Sequence, residues 1–250
     1  MSENPYLPPD ADLAKSADEL ESGSLTRGID GLYAFTIRQV WSHAWKRSKG
    51  AKAPLLLGML VFGATAWVLT AALARIGLDG QTMINRGDLA TGYFVSMVSG
   101  VIISPITVPM MAGLIMMAVR RAGGNTIRFG EMFRYFDRVV PLVVLSFLST
   151  VLIYAGLLLC LLPGIYLSVA YTLALPVLVD KNLSPWRALE ASRKAIHARW
   201  LNVFGLFVAT WLFLVLVSIP VITLVWSLPW LLLCIGTLYV IVFGAEETAT

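Results

Sequence analysis

Four stretches of this sequence contain no Asp, Glu, Lys, Arg or His: residues 53–74, 89–119, 139–179 and 200–245. A helix rises 1.5 Å per residue, so about 20 apolar residues cover a hydrocarbon core of about 30 Å. Soluble cores do not use tracts this long. Charged residues make up 14% of the chain, against roughly 25% in soluble domains, and the mean hydropathy is +0.76. The expected class is all-α, a polytopic membrane protein.

The first stretch has room for one span and the second for one long or interrupted span. Residues 139–179 are too many for a single crossing, and Pro163-Gly164 near their middle is a turn signal between two spans. Residues 200–245 divide in the same way between Ser218 and Pro229. The expectation is six transmembrane helices in three hairpins, at about 53–76, 89–119, 139–161, 164–180, 200–222 and 228–245. Of the 19 Lys and Arg residues, only Arg75 and Arg86 fall between the first two spans. The other seventeen precede the first span or lie in the loops after the second and fourth. The positive-inside rule then puts both termini in the cytoplasm.

Residues 1–28 are acidic and rich in Pro and Ser, a composition too poor in apolar surface to offset ordering entropy, and read as a flexible tail. Within it, Asn4-Pro5-Tyr6-Leu7-Pro8-Pro9 favours an extended segment, either solvated or a docking peptide. The tail lacks the apolar core of a cleavable leader, so the first span is expected to act as an uncleaved anchor.

An amphipathic basic segment precedes each outgoing span. The first carries Tyr33, Ile37, Val40, Trp41 and Ala44 at helical spacing, opposite Arg38, Ser42 and Lys46. In the second, Phe129, Met132, Phe133 and Phe136 oppose Arg128, Glu131, Arg134 and Arg138. The third begins with Ser184 as N-cap and Pro185 at the first helical position. Its Glu190 is spaced to pair with Arg193 and Lys194, and its apolar stripe is Leu189, Ala191, Ser192, Ile196 and Trp200. The chain thus reads as three repeats of an interfacial helix followed by a helical hairpin. Trp41, Trp45, Trp186, Trp200, Trp226 and Trp230 are placed for headgroup level, while Trp67 and Trp211 fall mid-span. Cys160 and Cys234 read as small buried hydrophobes.

PMMAGLIMMAVRRAGG (109–124), FGEMFRYFDR (129–138) and LLPGIYLSVAYTLALPVLVDKNLSPWRALEASRKA (161–195) together resemble a broad group of bacterial six-helix inner-membrane proteins. That group is related to the membrane domain that precedes some glycerophosphodiester phosphodiesterase domains. The resemblance covers roughly residues 30–245. It implies a six-helix bundle in a bacterial cytoplasmic membrane, and it carries over no phosphodiesterase activity because no catalytic domain is present.

The spans hold no ionisable side chain, which argues against a proton pump, an ion-coupled symporter or an intramembrane metalloprotease. His43 and His197 cannot make a three-histidine metal site, and Gly123-Gly124-Asn125 reads as a helix terminator, not a phosphate loop. No cofactor is expected. Nucleic acid is an unsuitable partner, since the basic and aromatic residues alternate at membrane-anchor positions.

Three groups of site residues stand out. The basic residues Lys46, Arg47, Arg120, Arg121, Arg134, Arg138, Arg193, Lys194 and Arg199 are candidates for lipid headgroups, anionic ones above all. In the second span, Gly92, Ser96, Gly100 and Ser104 recur every four residues, a stripe that admits a neighbouring helix. Pro105 and Pro109 each lack a backbone donor, which implies either a structural kink or a broken helix lining a polar cavity with Thr107.

The function expected is that of a non-enzymatic bacterial inner-membrane protein. It would bind lipid or a membrane partner, as monomer, homo-oligomer or complex, in envelope organisation or protection. The alternative is a transporter or channel for a small or lipidic molecule, using the Pro-broken second span.

Overall fold

The computed structural model describes residues 23–217 and 223–245, and every regular element among them is helical. Residues 1–22, with the Pro-rich opening of the expected tail, and residues 218–222, within the expected last turn, lie outside the described residues. So does the Trp226 side chain.

Five helical segments are long and apolar enough to cross a membrane: Lys52–Arg75, Leu89–Ala122, Phe129–Leu159, Leu161–Asp180 and Trp200–Val217. A sixth, within Leu224–Phe243, is apolar but shorter over its described side chains. This is the makeup of a multi-pass membrane protein.

In chain order the helices are α1 (Leu25–Ile29), α2 (Ile37–Arg47), α3 (Lys52–Arg75), α4 (Gly80–Asn85), α5 (Leu89–Ala122), α6 (Val139–Leu159), α7 (Leu161–Ala170), α8 (Ala174–Asp180), α9 (Pro185–His197), α10 (Trp200–Val217) and α11 (Leu224–Phe243). α1 takes the last four residues of the expected tail: Ser24 caps it, and the Gly23 amide donates to the Val240 carbonyl.

α5 and α11 pack closely, and small residues make it possible. A Cβ added at Gly236 would lie 2.5 Å from the Ala118 carbonyl, so the two backbones touch. α11 is apolar all round and correspondingly buried from Leu232 to Phe243 except at Ile235, as expected of a central helix. Its Trp230 is also buried and packs with Trp41.

Burial divides the bundle by its ends. Along α5, residues 109–122 are largely buried, whereas Leu89, Tyr93, Phe94, Met97, Val101, Ile102 and Ile106 are exposed. Trp67 of α3, Tyr154 of α6 and Trp211 of α10 belong to the same exposed apolar band, as mid-span bulk should. With 34 residues, α5 is also far longer than the 20 or so that a bilayer requires.

The chain reverses at Cys160, three residues before the expected Pro163-Gly164 turn. Cys160 has extended backbone (φ −170°, ψ 150°) and is exposed, not buried. Pro163 is accommodated because the first turn of a helix needs no donor there. Gly164 is spent on contact: a Cβ there would lie 2.8 Å from the Leu157 amide nitrogen, which is how α6 and α7 pair so closely. The returning strand of the hairpin is itself interrupted at Tyr171–Leu173, between α7 and α8.

The three amphipathic segments differ from one another. α2 is a capped helix: Thr36 and Gln39 form a capping box, and Val40 and Ala44 are fully buried as the spacing requires. Phe129–Arg138 is not an amphipathic helix but two short 3₁₀ turns, Phe129–Phe133 and Phe136–Arg138. Met132 turns inward between α3 and α5, with its carbonyl 2.1 Å from where a Gly113 Cβ would stand. Gly113 precedes Ala122 by nine residues, about 14 Å of helix, so this segment plugs the bundle and does not lie on its end.

α9 has the expected apolar stripe but does not lie flat. Its Ser192 hydroxyl donates to the Ala170 carbonyl (2.6 Å), and its His197 meets Tyr166. The helix therefore runs back antiparallel along α8 and α7.

Candidate lipid-contact site

The nine basic candidates fall into two sets once their contacts are known. Arg121 joins α5 to the connection between α2 and α3: its Nε donates to the Arg47 carbonyl (2.8 Å) and its Nη2 to the Lys49 carbonyl. Carbonyls at a helix C-terminus lack backbone donors and carry the negative end of the dipole, so a guanidinium fits there. Arg138 does the same for α8, donating to the Val179 carbonyl (3.3 Å) and to Asn182 Oδ1 (2.9 Å). Arg120 pairs with Glu131 at 2.8 Å. Arg193 makes a two-pronged contact with Glu190, at 3.0 and 2.9 Å, and Lys194 reaches the same carboxylate at 3.3 Å.

These hydrogen bonds hold the Glu190 carboxyl below the usual carboxylate range and raise Arg193 above its ordinary value. The Arg199 guanidinium sits 5.8 Å from the centre of the Tyr33 ring, and burial pushes the Tyr33 phenol up to about 12 despite that charge. Arg47 lies against Gly124. Arg120, Arg121 and Arg138 are thus engaged by other elements of the fold, Arg193 and Lys194 share Glu190 on the surface of α9, and Lys46, Arg134 and Lys194 are exposed.

The second span does not break. α5 is continuous from Leu89 to Ala122 through Pro105 and Pro109. Pro105 cannot donate to the Val101 carbonyl, and the Ser104 hydroxyl does so instead, at 2.7 Å. Thr107 likewise bonds back to Ile103, at 3.1 Å. The Ser104 hydroxyl thus replaces the donor that Pro105 lacks, and the helix runs on without interruption.

The small-residue stripe is divided. Gly92 and Ser96 face α4, where a Cβ on Gly80 would be 2.2 Å from both the Gly92 carbonyl and Ser96 Oγ. Gly100 meets nothing within 4 Å. The stripe therefore serves a short loop helix and not a neighbouring span. α4 and α5 are capped by Asp79 and Asp88, whose side chains accept from the Thr82 and Thr91 amides. Hydrogen bonds from Thr82 hold the Asp79 carboxyl below its ordinary value.

Two arrangements had no signal in the sequence. At the edge of the fourth span, Asp180 is buried, accepts from the Tyr239 hydroxyl at 2.7 Å and lies 3.2 Å from Lys181 Nζ. Tyr239 follows Asp180 by 59 residues, so only the fold brings them together. The second is an aromatic cluster of Trp41, Phe213 and Trp230, with ring centres 5.2–5.5 Å apart. Trp41 Nε1 donates to Thr210 Oγ1 (3.0 Å) and Trp230 Nε1 to the Trp41 carbonyl (3.4 Å). α2 is therefore wedged between α10 and α11.

Comparisons with protein families, with curated proteins and with solved structures return no match. What this arrangement can do chemically rests on its own residues: an exposed apolar band, and exposed cations on segments that ring the buried end of the bundle.

Proposed function

We propose that the chain is a non-enzymatic protein of a bacterial cytoplasmic membrane that binds anionic lipid, in the organisation or protection of the envelope. In this reading six helices cross or enter the bilayer as three hairpins, with both termini cytoplasmic. The exposed band of α3, α5, α6, α7 and α10 meets the acyl chains. The buried end, where α5 and α11 are ringed by α2, the Met132 plug and α9, stands at the cytoplasmic face. The resemblance to the membrane domains that precede some glycerophosphodiester phosphodiesterases is part of the same proposal, and so is association with a further copy or a protein partner.

One observation carries the reading: Lys46, Arg134 and Lys194 are exposed on segments that pack against the buried end. A cation near an anionic leaflet contributes about 1 kcal/mol, and salt screens it. The transport alternative rested on an interrupted second span, and the continuous α5 removes that motive.

The test is native mass spectrometry of the purified chain from nanodiscs holding phosphatidylglycerol and phosphatidylcholine. The reading expects selective retention of phosphatidylglycerol that weakens as ionic strength rises. Equal retention of the two lipids would overturn it.

A further inference from the structure

The hairpin of α6 and α7 turns in a run without a charged, amide or hydroxyl side chain, residues 155–165. The run is bare: Leu158 is 88% and Leu159 84% exposed, and Leu161 and Leu162 are exposed as well. The chain between α3 and α5 reverses through the opposite kind of residue, Asp79, Gln81, Asn85, Arg86 and Asp88. A reversal in water takes polar residues, and bare neighbouring leucines there would form a patch that soluble surfaces avoid. The tip of the α6–α7 hairpin is built for hydrocarbon.

Its depth is set by α9, which packs along the returning arm. Ser192 donates to the Ala170 carbonyl (2.6 Å), the Tyr166 hydroxyl meets His197 Nδ1 (2.8 Å), and Trp200 Nε1 donates to the Tyr166 carbonyl (3.3 Å). On its other face α9 carries Arg187, Glu190, Arg193, Lys194 and His197, all exposed or half-exposed. Charges open to their surroundings are costly in hydrocarbon, so α9 and the Tyr166 turn of α7 beside it stand at the headgroups or above them. The far end of α9 is also held at the cytoplasmic end of α11. The Tyr33 hydroxyl donates to the Ala195 carbonyl (3.0 Å), Gly31 abuts Ala198, and Gly28 abuts the Val242 carbonyl. Only six residues, about 9 Å of helix, separate Tyr166 from Cys160, against the roughly 30 Å of a hydrocarbon core.

We infer that the α6–α7 hairpin is re-entrant: its leucine tip dips into the acyl chains of the cytoplasmic leaflet and returns without crossing. The tip is thus an anchor whose partner is the hydrocarbon of one leaflet. Pro163, which has no donor, and the Cys160 amide, bonded to the Gly156 carbonyl, limit the unpaired backbone that the tip takes into hydrocarbon. A crossing hairpin would instead draw the charged face of α9 into the bilayer. Both ends of the hairpin stay on one side in either arrangement, so the division of basic residues is unaffected.

The inference rests on the membrane reading of the chain, and the two are tested separately. A nitroxide is attached to Cys160 of the full chain, where Cys234 is buried and spared. A second sample carries it at Ser168→Cys in a Cys160→Ser background, since Ser168 is exposed and eight residues, about 12 Å of helix, nearer α8. Both are reconstituted in vesicles of phosphatidylglycerol and phosphatidylcholine. Relaxation of the label by oxygen, which concentrates in hydrocarbon, is compared with relaxation by a water-soluble nickel chelate. The ratio of oxygen to nickel relaxation is expected to be several-fold higher at Cys160 than at Ser168→Cys. Unchanged thermal unfolding shows that each labelled chain is folded.

A label at Ser168→Cys as deep as that at Cys160, or deeper, overturns the re-entrant hairpin. Selective retention of phosphatidylglycerol by the same sample then leaves the lipid-binding reading standing. Both labels open to the nickel chelate put the hairpin outside the bilayer and overturn the inference as well. With selective retention absent too, the reading falls with it.

Discussion

The Tyr239 hydroxyl donates a 2.7 Å hydrogen bond to Asp180 inside the protein, tying the inner part of α11 to the end of α8. A buried carboxylate that loses one of its donors keeps its desolvation cost. Hydrogen bonds to charged groups contribute about 1.5–3 kcal/mol. Tyr239→Phe, which removes only the hydroxyl, is therefore expected to destabilise the protein by about 2 kcal/mol. Thermal unfolding in detergent reads this directly, and an unchanged midpoint would show that Lys181 alone satisfies the carboxylate.

Gly113 and Gly100 sit on the same helix and differ in what surrounds them. A methyl group at Gly113 would stand 2.1 Å from the Met132 carbonyl, whereas Gly100 meets nothing within 4 Å. Overpacking against backbone costs about 1–3 kcal/mol, and an exposed change stays within about 0.5 kcal/mol. Gly113→Ala should lower the unfolding midpoint and Gly100→Ala should not. Equal midpoints for the two variants would contradict the Met132 plug.

Arg121 and Arg134 are both basic candidates, and they should fail differently. Arg121→Gln loses the bonds to the Arg47 and Lys49 carbonyls, so stability should fall by about 1–3 kcal/mol. Arg134→Gln touches an exposed cation and should leave unfolding unchanged while weakening retention of phosphatidylglycerol. A stability loss at Arg134 equal to that at Arg121 would reject the division into engaged and exposed cations.

Asp79 makes the stability of the α4 loop depend on pH. Its folded carboxyl titrates below its ordinary value because Thr82 donates to the ionised form. The contribution is therefore complete above the ordinary carboxyl range and is lost as pH falls through the lower, folded value. The difference in unfolding midpoint between the parent and Asp79→Ala should be constant near neutrality and shrink on acidification. A difference that grows on acidification would reverse the sign.

The sequence made the spans legible because charge is excluded from hydrocarbon, and uncharged runs are visible without a fold. The start of α9 at Pro185 and the Glu190 pairs with Arg193 and Lys194 were legible too, since proline at a first turn and one-turn pairing are local, although the Ser184 side chain makes no capping hydrogen bond. Which end of α5 is buried was not legible, because its two halves are equally apolar and only packing against α11 distinguishes them. The Pro163-Gly164 turn was misplaced for a related reason. Proline in the first turn of α7 and glycine at a close helix contact use the same residues that make a reversal. The Asp180–Tyr239 bond and the aromatic cluster of Trp41, Phe213 and Trp230 join residues far apart in sequence. Local spacing carries no trace of them.

Seventeen of the 19 basic side chains must face one side of the membrane for the lipid-binding account to hold, and the two exposed positions Asn85 and Asn125 test this most directly. In a Cys160→Ser background, Asn85→Cys and Asn125→Cys are exposed in intact cells to a membrane-impermeant maleimide. The account predicts that Asn85→Cys is labelled at once and Asn125→Cys only after the membrane is permeabilised. Labelling of both positions in intact cells, or of neither, would put the two loops on the same side and contradict it.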